Sequence, residues 1–500
     1  MRNHGIGSWP ARRRRAAGAR PALRHAGRTL TYSELEERAT RLAHAFEARG
    51  VARGDRVAYL GANRPEFLEA MFAAALLGAV FTPLNTRLAR AELETVAADS
   101  SPTLLVVDAA RHADAACLRG AGMVEGVLTV GGAEDDFEAA VAAAGREPID
   151  RPVEHGDPFL LLYTSGSTGR PKGVVLTHGN VIWNCVNTVV DTDLASTDTA
   201  LVSAPMFHTA ALNMLCLPTL LKGGCLLVEE RFDPDRTLDL VEREGVTVMF
   251  GVPTMYERIA RSPRWREADL SGLRLLLCGG APVPAPLIER YMHRGLAFVQ
   301  GYGMTEAAPG ALLLPVADCR RKAGSAGVAA FFTDVRTADD GPGPAEVLVE
   351  GPNVTPGYWN RPEETAAALR DGWLHTGDAA EVDEEGYFRI VDRLKDMYVS
   401  GGENVYPAEV EAALAAHPAV RECAVVGVPD ATWGESGAAL VVPAADHRPT
   451  PDELRAFLAQ RLARYKLPTT VVFADELPRS AVGKVDKPGL RSRLAAIADE

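Results

Sequence analysis

Residues 163–174, YTSGSTGRPKGV, place glycines, hydroxyls and one lysine directly after the apolar run PFLLL. Glycines let main-chain N–H groups approach an anion, and hydroxyls add further donors. Lys172 adds a full positive charge. The combination fits the phosphates of a nucleotide. A Walker loop would carry Gly-Lys-Ser/Thr and run straight into a helix. Here Lys172 sits between Pro171 and Gly173, and the VVL that follows reads as a strand. The loop is a phosphate-binding candidate of another kind, with a plain surface loop as the alternative.

Six further segments follow in order: APMFHTAAL (204–212), GGAP (279–282), QGYGMTE (300–306), WLHTGD (373–378), DRLKDMYVSGGENVYPAEVE (392–411) and PRSAVGK (478–484). Together with the loop they resemble the adenylate-forming superfamily, which includes acyl-CoA synthetases, firefly luciferase and the adenylation domains of peptide synthetases. The resemblance spans almost the whole chain. The wording around SGGENVYPAEVE, ARYKLP and TYSELEERATRLA is most similar to the fatty-acyl and aryl CoA ligases.

The resemblance implies two steps. A carboxylate attacks the α-phosphorus of ATP and releases pyrophosphate, and the thiol of coenzyme A then attacks the acyl carbon and releases AMP. Both reactants of the first step are anions, so positive charge must offset their repulsion. Magnesium and lysines would serve that need. By resemblance, Thr164, Ser165, Gly166, Ser167, Thr168, Gly169 and Lys172 cradle the β- and γ-phosphates. Glu306 binds magnesium, with Thr164 as the second metal contact. Gly280, Ala281, Pro282, Gly301, Tyr302, Gly303, Met304 and Thr305 bound the nucleotide, with Tyr302 stacked on adenine. Asp378 accepts hydrogen bonds from the ribose hydroxyls, as a carboxylate can from two donors at once. Arg393 contacts ribose or phosphate. Lys484, on the SAVGK loop, stands between the carboxylate and the α-phosphate, where a point charge on a flexible stem is suitable. His208 lines the acyl site and shapes access during thioester formation. Lys395 matches the hinge. Read without the motifs, each has a bland alternative: a surface lysine, a core histidine, a loop acid.

The acyl pocket is expected from 208–214, 252–256, Gly279 to Pro282 and Gly301 to Thr305. These stretches are mostly apolar or small, which suits an alkyl or aryl monocarboxylic acid. Asn213 is either a contact for a ring substituent or a capped helix residue. No added arginine is present there to pair a second carboxylate. Four other readings stand beside the CoA ligase. The acceptor could be the thiol of a carrier protein. Nitrite could replace the carboxylate, with an aromatic amine diazotised. An acyl-adenylate could decay oxidatively, or the protein could only bind.

These residues need a scaffold. SELEERATRLAHAFEARG (33–50) reads as a helix with Ser33 and Glu36 in a capping box and Gly50 at its end. DRVAYL reads as a strand, followed by a helix to about Leu77. MFAAALLGAVF (71–81) is a buried helix running into a strand. TLLVV, VLTV, FLLLY, ALVSA, CLLVEE, VTVMFGV, LRLLLCGG and AFVQGYG are further short β-prone runs, many separated by helical segments. Strands alternating with helices predict parallel α/β sheets. After about 345 the pattern turns to hairpins, with DEEG as a turn, and DDGPGPAE (339–346) reads as a surface turn. The expected class is α/β: a large N-terminal domain of αβ-layered sheets with a small β-barrel-like subdomain, then a small mobile α+β domain. The expected boundaries are 1–392 for the ATP- and acyl-binding domain, 393–396 for the hinge and 397–500 for the C-terminal catalytic lid.

Of 500 residues, 47% are hydrophobic and 24% charged, as in an ordinary globular protein, and the net charge is −13. That balance argues against a nucleic-acid partner, which needs clustered Lys and Arg. Arg12 to Arg15 form a basic run with no apolar segment behind it, so it reads as a solvated N-terminal stretch rather than a signal peptide. No window has the ~18 apolar residues of a membrane span. Seven scattered cysteines without a CxxC pair suggest buried thiols in a reducing cytoplasm. A monomer or homodimer is expected.

Overall fold

The computed structural model describes residues 2–132, 136–165, 171–280, 283, 285–338, 345–393, 397–444, 447–478 and 485–498. The chain divides into two compact units. The first comprises Met1–Thr86, Ser100–Leu162 and Gly173–Asp392; the second comprises Arg87–Asp99, Tyr163–Lys172 and Arg393–Glu500. Two short segments from within the first 392 residues thus fall with the second unit.

Sheets dominate the first unit. In a nine-stranded sheet the Cys225–Val228, Thr199–Val202, Val248–Gly251, Leu275–Cys278 and Phe298–Gly303 strands run parallel side by side. Every residue of Thr199–Val202, Cys225–Val228, Val248–Gly251 and Leu275–Cys278 is buried. Continuous apolar runs of four residues are what a strand covered on both faces requires. A seven-stranded sheet contains the parallel strands Arg56–Leu60, Val80–Pro83, Leu104–Asp108 and Gly126–Val130. A third, antiparallel sheet built on Asp334–Thr337, Ala345–Glu350 and Trp373–Val382 forms where the sequence predicts the barrel-like subdomain.

The Pro65–Leu77 helix is buried on every side, as its mostly apolar sequence requires, and its two acids are buried with it, Glu69 pairing with Arg38 at 2.8 Å. Pro65 starts it, and Gly78 closes it in the left-handed region at φ 72°. Edge-on rings of Tyr59, Phe67 and Phe81, with centroids 4.9 and 5.1 Å apart, join it to the seven-stranded sheet. Among the described residues no helix is long and apolar enough to cross a membrane.

One local expectation is corrected. The predicted helix at 33–50 spans Tyr32–Glu47, and its capping box is Thr31 with Glu34 rather than Ser33 with Glu36. Tyr32 is buried and its hydroxyl donates to the Gly224 carbonyl at 2.7 Å, so the helix begins where Tyr32 is anchored. The Arg12–Arg15 run lies in the Trp9–Ala17 helix, held by buried Trp9, and Arg12, Arg14 and Arg15 are exposed, as a solvated stretch would be. His178, stacked on Phe159, accepts the Ile6 N–H at 3.1 Å and fastens this start to the His178–Thr192 helix. Burial pushes its pKa down to about 3, so the ring stays neutral. All seven cysteines are free, five of them buried.

In the second unit the strands Val420–Asp430 and Gly434–Pro443 form a long hairpin, with Thr470–Phe473 parallel beside it. Both faces of the hairpin are apolar. Val425, Ala439 and Val441 pack with Leu414, Leu454 and Leu458, whereas Val426, Val428 and Leu440 pack with Leu490 and Leu494. The second cluster requires the Lys487–Ala498 helix, which sequence reading did not predict. Lys466 is a buried ammonium that donates to Glu92 at 2.7 Å and Glu409 at 2.8 Å, giving the unit a charged centre that is costly to break.

Candidate active site

Strand ends assemble the site. Val248–Gly251 pairs with Leu275–Cys278 so that Gly251 faces Cys278, and Cys278 faces Gln300 on the next strand. Thr199–Val202 lies on the other side of Val248–Gly251. Of the segments expected to bind nucleotide and acid, 204–212, 252–256 and the described start of 279–282 follow the carboxyl ends of adjacent parallel strands, and 301–305 forms the end of the next strand and the turn after it. That edge is where open α/β sheets hold ligands. Gly279 is needed there: a Cβ on it would come 3.1 Å from the Gly301 carbonyl.

The loop after Tyr302 folds back tightly. Met304 N–H donates to the Pro309 carbonyl at 3.1 Å, and a Cβ on Gly303 would collide with that carbonyl. The turn carries Glu306, which is only 7% exposed. Its side-chain Oε1 accepts from the Tyr358 hydroxyl at 2.8 Å, and its carbonyl accepts from Thr355 N–H at 2.7 Å. Asn353 donates to the Ala307 and Gly310 carbonyls at 2.8 and 2.9 Å. Asn184 accepts from Gly310 N–H at 2.9 Å and donates to the Asn213 carbonyl at 2.8 Å. Tyr302, on the Phe298–Gly303 strand, donates to Asp378 Oδ2 at 2.7 Å, with Asp378 on the Trp373–Val382 strand. The structure thus brings together Tyr302 with Asp378.

His208 caps the short Thr209–Ala211 helix, half-buried, with its ring 4.7 Å from Phe207. A π-helical turn, Leu212–Cys216, follows at once. Such turns are rare and concentrate at functional sites. Asn213 sits in it, fully buried, donating to Thr209 Oγ1 at 2.9 Å and the Ala308 carbonyl at 3.2 Å. Its Oδ1 accepts from no donor among the described residues. Asn213 is thus a link between the two segments, and not a helix cap.

Thr164 is next to last in the Pro158–Ser165 strand and Lys172 is second in the Pro171–Thr177 strand, both half-buried. Gly280 is left-handed at φ 83°, and Gly301, Met304 and Thr305 lie on the strand and turn just described. Only the main chain of Ser165 and Arg393 is described. Gly166, Ser167, Thr168, Gly169, Ala281, Pro282, Lys395 and Lys484 lie outside the described residues.

Sequence reading missed the supports: Asn184, Asn353, Thr355 and Tyr358. One signal was available. In HGNVIWNCVN the asparagines at 180, 184 and 187 fall at helical spacing on an otherwise apolar helix, and all three are buried. A buried polar stripe must be satisfied by something, and here it is loops. Asn180 takes the Pro352 and Val354 carbonyls, Asn184 takes Gly310, and Asn187 takes Phe332 and Thr333.

A tight turn presenting a buried carboxylate, beside a tyrosine–carboxylate pair, at the C-terminal edge of a parallel sheet can hold a nucleotide. Comparison with known proteins agrees. Residues 11–359 match the AMP-binding enzyme family and 409–484 match the AMP-binding enzyme C-terminal domain. A feruloyl-CoA synthase of Amycolatopsis sp is 57% identical over 99% of this chain and 100% of its own length. An indoleacetate–CoA ligase of Aromatoleum aromaticum is 43% identical over 96% of this chain and 97% of its own. Among solved structures, an o-succinylbenzoate CoA synthetase from Bacillus subtilis, bound with a product analogue, superposes with a TM-score of 0.88 at 32% identity, covering 97% of this chain and 98% of that one. An amide bond synthetase from Marinactinospora thermotolerans gives 0.89 at 31% identity, covering 97% and 99%. The chain belongs to the AMP-binding, adenylate-forming enzymes and is an acyl-CoA synthetase that uses ATP to join an aryl or alkyl carboxylic acid to coenzyme A.

Proposed function

We propose that the acid is an arylpropenoate bearing a ring hydroxyl, of the ferulate type. The observation that carries this reading is full-length 57% identity to a feruloyl-CoA synthase. The buried, unpartnered Oδ1 of Asn213 supports it, because a phenolic O–H would satisfy that acceptor. The CoA acceptor is favoured over nitrite chemistry or a carrier-protein thiol, since the full-length curated relatives named above are CoA ligases.

In this reading the chain's residues divide the work. Thr164 to Gly169 and Lys172 hold the β- and γ-phosphates. Tyr302 lies against adenine while its hydroxyl keeps Asp378 turned toward the ribose. Arg393 adds a contact to ribose or phosphate. A carboxylate oxygen of the acid attacks the α-phosphorus, the bond to the bridging oxygen breaks, and pyrophosphate leaves. Lys484 offsets the charge that builds between the two anions. The CoA sulfur then attacks the acyl carbon, its proton is lost, and AMP leaves; His208 borders that approach. The segment 397–500 is the lid and 393–396, with Lys395, the hinge on which it turns between the two steps.

Glu306 is the group that would hold magnesium. It is a hard oxygen donor in a rigid turn, and among the described residues no cluster of three or more His, Cys, Asp or Glu competes with it. Magnesium suits a site with one or two carboxylates, filling its remaining positions with water and phosphate oxygens. When bound it neutralises phosphate charge and favours departure of pyrophosphate.

The test is incubation with Mg-ATP and a panel of acids, with and without CoA: ferulate, 4-hydroxycinnamate, cinnamate, and short and long alkyl acids. Mass spectrometry is expected to show CoA thioesters of the hydroxylated arylpropenoates first. Thioesters of alkyl acids alone would overturn the substrate class. AMP without any thioester would overturn the acceptor.

A further inference from the structure

Tyr358 is not among the motif residues, yet its hydroxyl reaches Glu306 at 2.8 Å. Its mount is unusually well fixed. The Gly357–Tyr358 strand pairs with Val174 and Val175, and Trp359 N–H donates to the Gly173 carbonyl at 2.7 Å. Tyr358 N–H donates to Thr365 Oγ1 at 2.9 Å. Gly357 stands at φ 143°, and a Cβ there would strike the Thr365 side chain. Three residues before Tyr358, Thr355 N–H holds the Glu306 carbonyl at 2.7 Å, and Thr355 Oγ1 donates to Gly357 at 3.0 Å. The 355–358 turn therefore grips Glu306 at two points, main chain and carboxylate, and is itself pinned to the strand that follows the phosphate loop.

We infer that Tyr358 is a positioning residue for the magnesium-binding carboxylate: its hydroxyl fixes one oxygen of Glu306 so that the carboxylate presents its other lone pairs to the ion. This rests on the reading of Glu306 as the metal group. A phenol is well chosen for the task. It donates a hydrogen bond to the carboxylate and holds its orientation, yet it brings no positive charge to compete with the cation. Tyr302 does the same for Asp378 at 2.7 Å, so the two carboxylates expected at the nucleotide are each oriented by a neutral tyrosine donor. Partners that orient metal ligands typically account for 10–100-fold in metal affinity.

The experiment measures binding of a non-hydrolysable ATP analogue by calorimetry over a range of free Mg2+, alongside adenylation rates. Tyr358→Phe keeps the ring and removes the donor. It is expected to raise the Mg2+ concentration for half-maximal analogue binding by about tenfold or more, with little change in melting temperature. Asn187→Ala, which loosens the Phe332–Thr333 loop, serves as the stability control: it is expected to lower the melting temperature and leave the Mg2+ requirement where it was. Glu306→Gln separates the two levels. If it loses the metal response while Tyr358→Phe needs no more Mg2+ than the unaltered enzyme, the inference on Tyr358 fails and the reading of Glu306 stands. If Glu306→Gln keeps the ordinary Mg2+ dependence, the reading of Glu306 fails and takes the inference with it.

Discussion

The turn at 301–310 and the segment at 203–219 both border the site, and they are finished differently. In the turn, the carbonyls of Glu306, Ala307, Ala308 and Gly310 and the N–H of Met304 and Gly310 all have partners, and the Glu306 carboxylate has Tyr358. Gln300 Nε2, just before it, is the exception. In the other segment, Ser203 Oγ, Asn213 Oδ1 and Thr219 Oγ1 are buried with no partner among the described residues. An orphaned polar atom inside a protein costs about 1–3 kcal/mol unless something arrives to satisfy it. A site for one constant substrate can be completed within the chain. On the proposed reading, the side that takes the variable acid holds polar atoms in reserve, and of the three only Asn213 sits in the π-turn at Leu212–Cys216.

The largest effect should come from neither region. Lys484→Ala removes the charge expected at the reacting phosphorus. Adenylation should fall about 10²–10³-fold, the range for losing one transition-state donor, while CoA thioester formation from supplied acyl-adenylate is largely kept. Rapid-quench measurement of the two half-reactions decides it. Equal loss in both would mean that the nucleotide side is not where Lys484 acts.

Asn184 tests whether the two regions are separable. It is fully buried and is shared, accepting from Gly310 on one side and donating to Asn213 on the other. Asn184→Ala should destabilise the fold by about 1–3 kcal/mol, because it strands a buried N–H and a buried carbonyl. KM should rise for both ATP and the acid. A rise for only one would show the halves to be mechanically independent, and the comparison above would then sharpen into two separate sites.

What the sequence disclosed follows the same division. The glycine-rich and acidic motifs pointed to the nucleotide side because the chemistry proposed for them restricts residue type: Gly303 admits no Cβ, and the metal role proposed for Glu306 calls for a carboxylate. The parallel sheets were legible from four-residue apolar runs. The supports were not, because an asparagine that satisfies a distant carbonyl looks like any polar helix residue until the topology puts position 353 beside position 307. The helix at Lys487–Ala498 was hidden for another reason. Its apolar positions, such as Leu490 and Leu494, make sense only once both faces of the Val420–Pro443 hairpin are seen to need cover.

The smallest predicted effect bears on the acyl side alone. Asn213→Leu keeps the branched shape in a larger volume and removes the orphaned acceptor. It also gives up the donations to Thr209 and Ala308, so some stability should be lost as well. If Oδ1 is the partner of a ring hydroxyl, the ratio of kcat/KM for 4-hydroxycinnamate over cinnamate should fall by about tenfold, equivalent to ~1.4 kcal/mol for one hydrogen bond. KM for ATP should stay nearly constant, since the Glu306 carboxylate keeps Tyr358 and the turn keeps Asn353 and Asn184. A changed ratio with constant ATP binding would place the reserve of unsatisfied polar atoms in the service of substrate choice. An unchanged ratio would instead make the Asn213 carboxamide a brace between the π-turn and Ala308, with discrimination left to the apolar walls.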